Sequence, residues 1–306
     1  MAGKKKSSLQ TALLNQQSRL KQKAQIVQAA KSNEKTKAAK KQTGKKAVTI
    51  PFVPTDKILL IGEGNFSFAY ALAVNPPSQL QHLPPQNITA TAYDTEEECF
   101  TKYVDAQEKI DALRTRGVNI LFGVDAAKLE KVSQLKGRRW DKVVWNFPHA
   151  GKGIADQDRN ILSNQLLILG FFRSVCGFLV RGPPPTLGSL KKKGKGQEEG
   201  DDTDIDLDQE GKSSGQTGFS KGTVIITLRN VPPYTEWDIC RLAKKPPPPA
   251  VTGMKHPNPT YTLLRSFVFH RWAWKGYEHR MTKGEKGRTG EGGEDRSWEF
   301  YLKGGE

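Results

Sequence analysis

The sequence has little cysteine: Cys99, Cys176 and Cys240 are the three in 306 residues. They stand far apart without paired spacing, so they offer neither a disulfide framework nor a zinc site and are read as buried small apolar residues. No apolar run approaches the ~18 residues needed to span a membrane, and the opening "MAGKKKSSLQ" leads into no apolar signal core. An intracellular protein is therefore expected. Aromatic residues are absent from positions 1 to 49 and acids nearly so, with thirteen Lys or Arg against Glu34 alone. That segment carries +12 of the net +16, leaving a nearly neutral body.

Such a tail buries too little surface to fold alone, so residues 1–49 are expected to be disordered. Its lysines, Lys4, Lys5 and Lys6 among them, suit a polyphosphate partner because they displace condensed counterions. A solubilising or nuclear-import role fits the same residues, and a lysine run does not separate import from RNA binding. Residues 182–221 join a proline run, a lysine cluster and eight acids with few apolar residues, which reads as a disordered charged insertion. The remaining segments, 50–181 and 222–306, are then one folded domain.

Within it, short β-branched runs alternate with helical patterns. Strands are expected at 57–62, 88–94, 118–124, 141–147 and 222–228, and helices at 66–74, 95–115, 126–135, 157–180 and 235–244. Residues 261–272 and 296–302 read as strands with little room for a helix between them. The fold class is thus α/β, a mostly parallel sheet with helices on both faces and an antiparallel C-terminal edge.

Open sheets of this kind bind ligands beyond the carboxyl ends of their strands. After the first strand comes Gly62-Glu63-Gly64-Asn65-Phe66, where glycine lets the backbone turn sharply and approach a ligand. The second ends in Asp94, placed to accept from ribose hydroxyls. The third ends in Asp125, suited both to capping "AAKLEKV" and to an adenine contact. The fourth ends in Asn146-Phe147-Pro148-His149. The loop lacks the third glycine of the dinucleotide fingerprint, which disfavours a nicotinamide-dependent oxidoreductase.

The blocks "GEGNFSFAYALA", "AYDTEEECFTKY", "NILFGVDAAKL", "WDKVVWNFPHAGKG", "LLILGFFRSV", "VIITLRNVPPYTEWDICRLA" and "WKGYEHRMT" occur in this order. Together they closely resemble the eukaryotic 25S rRNA uridine-N3 methyltransferase-like family, a Rossmann-like group of S-adenosylmethionine enzymes. The resemblance covers roughly residues 56 to 283. It implies a seven-stranded class I methyltransferase sheet, S-adenosylmethionine as cofactor, nuclear and nucleolar location, and ribosomal RNA or a pre-ribosomal particle as partner; a monomer with no membrane is expected besides. Two positions depart from the pattern: Leu60 stands where the common class I motif has an acid, and Lys275 where the family tends to have proline.

The resemblance also implies roles. Gly62, Glu63, Gly64, Asn65 and Phe66 would cradle the methionine part, Asp94 the ribose, and Asp125 would lie by the adenine. Asn146, Phe147 and His149 resemble the Asn-Pro-Pro-aromatic motif of methyltransferases acting on planar nitrogen. Uridine N3 is a poor nucleophile while protonated, so a base such as His149, or stabilisation of the uridinate by Asn146, is required. The base must also be unpaired or flipped, with Trp145, Phe147, Tyr234 and Trp237 as stacking candidates, although Trp145 and Trp237 suit filling the apolar core better. Tyr277, His279 and Arg280 are candidates to meet RNA. The alternative is a catalytically silent RNA-binding ribosome-assembly factor on the same fold.

Overall fold

Strands β1 (Ile58–Ile61), β2 (Ile88–Thr91), β3 (Asn119–Leu121), β4 (Lys142–Asn146), β5 (Thr223–Arg229), β6 (Tyr261–Val268) and β7 (Asp295–Leu302) form one sheet in the order β3-β2-β1-β4-β5-β7-β6. This computed structural model describes residues 48–151, 153–187, 220–248, 257–281 and 293–304. Lys4, Lys5 and Lys6, nearly all of the basic tail and most of the 182–221 insertion lie outside the described residues. Every strand starts within a residue of its expected position, but β2 and β3 end three residues, and β6 four residues, short of the expected 94, 124 and 272. The first five run parallel, β7 runs antiparallel to β5, and β6 antiparallel to β7. β6 therefore ends at the same edge of the sheet as β1, β2, β4 and β5.

The chain leaves β1 toward β2 and β3, then crosses back to place β4 and β5 on the other side. The order thus reverses between β1 and β4, the switch point at which open α/β sheets hold ligands. Ile61 pairs with Trp145 across that junction, so Gly62 and Asn146 leave the sheet as neighbours.

Five α-helices accompany the strands among the described residues: α1 (Ser67–Ala73), α2 (Glu96–Lys102), α3 (Ala106–Thr115), α4 (Gln157–Val175) and α5 (Ile239–Lys244). Buried side chains of α1 to α3 and of Phe267, Phe269 and Trp274 cover one face of the sheet. Those of α4 and α5, with Trp140, Trp145 and Trp237, cover the other. α4 with its following turn, Gln157–Phe178, is long and apolar enough to cross a membrane by length and composition. Here Ile168, Phe171, Phe172 and Val175 are buried in the core of the second face.

Several sequence expectations are corrected by the structure. The helix expected over 95–115 is broken at Tyr103 to Asp105. Tyr103 turns inward, 5% exposed, against Gly64, and the Asp105 carboxylate is drawn to Asn65. The helix expected over 126–135 is a pair of 3₁₀ turns, Ala126–Lys131 and Ser133–Leu135, joined at an extended Val132. The 157–180 helix ends at Val175 in a 3₁₀ turn, and the 235–244 segment opens as the 3₁₀ turn Tyr234–Trp237. Of the cysteines, only Cys99 is fully buried; Cys176 and Cys240 are half-buried.

Candidate active site

The glycine loop takes its shape from the residues beneath it. Gly62 has φ +65°, and a Cβ there would come 2.8 Å from the indole Nε1 of Trp145. Both the left-handed backbone and this close approach demand glycine. Gly64 sits over Tyr103, whose hydroxyl would lie 3.2 Å from an added Cβ. Phe66, also left-handed at φ 57°, precedes α1 and offers its N-terminus no side-chain cap. Glu63 fills that role: its Oε2 accepts from the Ala69 amide at 3.3 Å. Withdrawal from water pushes the carboxyl up to about 7, with the helix amides only partly opposing this.

Leu60, which stands in place of the usual acid, is buried in the core. The acid nearest the loop from elsewhere in the chain is Asp105, at the break between α2 and α3. Its Oδ2 accepts from Asn65 Nδ2 and from Arg280 Nη2, both at 3.0 Å, and from the Lys109 ammonium. Desolvation of the Asp105 carboxyl is outweighed by Lys109, Asn65 and Arg280, which hold its pKa below the usual value.

At the end of β2, Asp94 is half-buried, and Lys102 Nζ donates to its Oδ1 at 2.5 Å. Its neighbour Tyr93 is 71% exposed. At the end of β3, Asp125 caps the following turn, accepting from the Ala127 amide at 2.9 Å and from Lys128 Nζ at 2.7 Å. Partial desolvation opposes its ionisation, but Lys128 and that amide prevail and lower its pKa. The capping role of Asp125 is thus realised. The loop, Asp94 and Asp125 all lie at the carboxyl edge of adjacent strands, as expected from the sequence.

The fourth element begins with Asn146. Its Oδ1 accepts from Thr227 Oγ1 at 2.8 Å, and Thr227 is in turn bonded to Ser297 Oγ at 2.8 Å. This chain of polar groups crosses β4, β5 and β7 and fixes which end of the Asn146 amide faces the sheet. A cavity of ≈ 10 Å³ lies beside it, lined in part by Asn146, Thr227, Ser297, Phe269 and Trp274, room for about one water. Phe147 is left-handed at φ 53°, and its amide donates to the Thr227 carbonyl at 2.8 Å.

His149 is exposed, with its ring 6.0 Å from that of Trp237. Its Nδ1 accepts from the Gly151 amide at 2.9 Å, so the neutral ring carries its proton on Nε2 and presents a donor rather than a base. Partial desolvation lowers its pKa. Trp145 and Trp237 are buried, 6% and 1% exposed, and fill the core; Phe147 and Tyr234 are half-buried.

Residues 269–281, which follow β6, close over this group. Phe269 and Trp274 stack at 6.4 Å, and Trp274 and Tyr277 each pack edge-on to Phe68 of α1. Ser67 Oγ donates to the Glu278 carbonyl at 2.9 Å. Arg280 bonds Asp105 and Glu278. The His279 ring lies 4.4 Å from the Phe147 ring, and the Arg271 guanidinium 5.1 Å over that same ring. Burial first, then Arg271 and Arg229, bring the His279 pKa down to about 4, so its ring is neutral. Tyr277 is packed among Phe68 and Phe269, and Arg280 is committed to acids of the chain itself; neither is presented as a free contact.

The family model described as rRNA (uridine-N3-)-methyltransferase BTM5-like matches residues 59–281. The chain belongs to the BMT5-like family. It is 29% identical over 273 residues to the 25S rRNA (uridine(2634)-N(3))-methyltransferase of Saccharomyces cerevisiae, covering 83% of this chain and 74% of that one. It is 36% identical over 231 residues to heavy metal-associated isoprenylated plant protein 41 of Arabidopsis thaliana, covering 75% of this chain but 34% of the relative. Among solved structures, the 16S rRNA methyltransferase KamB aligns over 80% of this chain and 86% of its own at 14% identity and a TM-score of 0.33.

The structure brings to the candidate site residues that the sequence did not single out: Tyr93, Asp105 and Arg271. Tyr93 could have been found from its place beside Asp94 at a strand end. Asp105 carried a signal as well, since Asp105-Ala-Gln-Glu108 has the spacing of a capping box and marks a new helix start. Arg271 reaches Phe147 from 124 residues away in the chain, and no local pattern announces that contact.

Proposed function

We propose that this BMT5-like chain transfers a methyl group from S-adenosylmethionine to N3 of an unpaired uridine in large-subunit ribosomal RNA. The observation that carries this reading is the adjacency of the glycine loop and the Asn146 motif across the switch point. The residues present fit the cofactor: a glycine backbone open at the end of β1 for the amino-acid part, the Asp94 carboxylate for the ribose diol, and Asp125 beside Tyr93 for the adenine side. When bound, the cofactor supplies an activated methyl group, and the protein must orient the acceptor and exclude water.

The chain's own residues address the acceptor. Phe147 and the neutral His279 form a small aromatic floor against which a flipped base can stack. Thr227 holds Asn146 Oδ1, which leaves the amide nitrogen to donate to a uracil carbonyl and stabilise the anion formed when N3 releases its proton to solvent. Arg271, whose Nε donates to Asp295 Oδ2 at 2.6 Å, packs over the same ring. His149, as a donor through Nε2, suits a second carbonyl better than the N3 proton. The family supports catalysis, and no observation favours the silent assembly factor. A nuclear and nucleolar location, pre-ribosomal RNA as partner and a monomeric state belong to the same proposal.

The test is methyl transfer from labelled cofactor to ribosomal RNA isolated from cells lacking the protein, followed by nucleoside mass spectrometry. The expected product is 3-methyluridine; label in another nucleoside, or none, overturns the assignment. Asp94→Ala is expected to weaken the cofactor about tenfold or more, the worth of a charge-assisted hydrogen bond. An unchanged dissociation constant by calorimetric titration would remove Asp94 from the ribose site.

A further inference from the structure

We propose that Trp272 is a stacking platform for an unpaired RNA base flanking the target uridine, a second nucleotide site beside the one that holds the reacting base. The proposal rests on the methyltransferase reading. Trp272 is 74% exposed, whereas Trp140, Trp145, Trp237 and Trp274 are 6% exposed or less. The indole is thus solvent-facing on an otherwise aromatic-rich, packed segment, with its large flat face open to stacking.

The indole is held outward by its neighbours. It sits on the short 3₁₀ turn Arg271–Ala273, between Phe269 and Trp274, which stack on each other at 6.4 Å and belong to the buried core. The His270 ring lies 5.4 Å from Trp272. A ring fixed in this way loses little freedom when a base stacks on it.

Position and charge name the partner. The segment leaves β6 at the edge where Gly62 and Asn146 leave the sheet, and Arg271, the residue next to Trp272, lies over Phe147. Arg271 is paired with Asp295 and Arg280 with Asp105 and Glu278, and Lys275, three residues from Trp272, is exposed. An exposed aromatic ring with a lysine nearby, adjoining a site for a flipped base, matches single-stranded RNA: the base stacks and the phosphate meets Lys275. Stacking tolerates any base, so the platform selects for an unpaired strand rather than for a sequence.

The test uses the full chain with Trp272→Ala and Trp272→Phe, and a short single-stranded RNA with one central uridine. Fluorescence anisotropy should show RNA binding weakened about tenfold by alanine and largely kept by phenylalanine, with S-adenosylmethionine affinity unchanged in both. An abasic site placed next to the uridine, on one side or the other, should weaken binding to the native chain and leave Trp272→Ala unaffected. Equal RNA affinity in native and alanine chains overturns the proposal, as expected if a protein segment covers the indole instead. So does an alanine variant as sensitive to the abasic site as the native chain. If the RNA pattern appears but the native chain transfers no methyl, the catalytic reading fails and the platform stands.

Discussion

Asn146→Ala is expected to lower kcat for methyl transfer about 100-fold or more, the usual cost of removing one donor aimed at developing negative charge. The cofactor dissociation constant should stay within about threefold, because the loop and Asp94, the residues proposed to hold that ligand, lie on the other side of the switch point. Uridine N3 reacts as an anion, and its negative charge spreads onto the carbonyls that flank it. Asn146 can meet one of those oxygens only because Thr227 Oγ1, supported by Ser297, occupies its Oδ1. Asn146→Asp sharpens the test. It keeps the size and the acceptor for Thr227 but exchanges the donor for a charge that repels the uridinate, so it should be as slow as alanine or slower. A variant chain in which kcat holds and KM rises would show that Asn146 binds the ground state alone.

The parallel half of the sheet was legible because each strand is a short β-branched run that ends in a residue of special chemistry. KILLIG stops at a glycine loop, ITATAYD at Asp94 and DKVVWNF at the Asn146 motif, so strand and ligand edge were read together. The helix break at Tyr103 is marked in the sequence only by the capping-box spacing of Asp105 and Glu108, because helical spacing continues through it without glycine or proline. What breaks the helix is tertiary: Tyr103 packs under Gly64, and Asp105 bonds Asn65 rather than its own first turn. His149 shows the same limit at the site. The sequence placed it correctly after the motif, but the Gly151 amide, two residues on, decides which nitrogen bears the proton. His279 and Arg271 meet Phe147 only because β6 returns to the carboxyl edge, a consequence of the antiparallel pairing rather than of any local pattern.

Glu299→Ala is expected to destabilise the folded body by about 3 kcal/mol, toward the low end for breaking a buried ion pair because its partners keep some solvent. Glu299 is 0% exposed. Its Oε1 accepts from Lys142 Nζ and Thr223 Oγ1, each at 2.7 Å, and its Oε2 from Arg265 Nε at 2.6 Å. Alanine would leave two cations half-buried without their counter-ion, which costs more than the pair itself contributes. The network ties β4, β5, β6 and β7 at one end of the sheet, while Asn146, Thr227 and Ser297 tie β4, β5 and β7 at the other. Both sets lie on one face, because Lys142 and Asn146, like Thr223 and Thr227, are separated by an even number of residues. The substitution should therefore lower the midpoint in urea and leave kcat at low temperature nearly intact. Desolvation opposes ionisation of Glu299, yet Lys142 and Arg265 outweigh it and bring its pKa down from 4.5 to about 2. Because the folded value is depressed, this contribution is full above pH 4.5 and is lost as pH falls toward 2. Asp56 acts in the opposite sense: burial raises its pKa from 3.8 to about 6, so its ionised form weakens the fold above that pH, and acidification from 6 toward 4 relieves the penalty. Unfolding followed in urea from pH 7 to 3 should show both slopes in the native chain. Asp56→Asn should reduce the first slope, leaving the part due to Glu63, which burial also raises, and Glu299→Ala should flatten the second; a Glu299→Ala chain with an unshifted midpoint at pH 7 would mean that Lys142 and Arg265 find solvent or other partners as readily as they find Glu299.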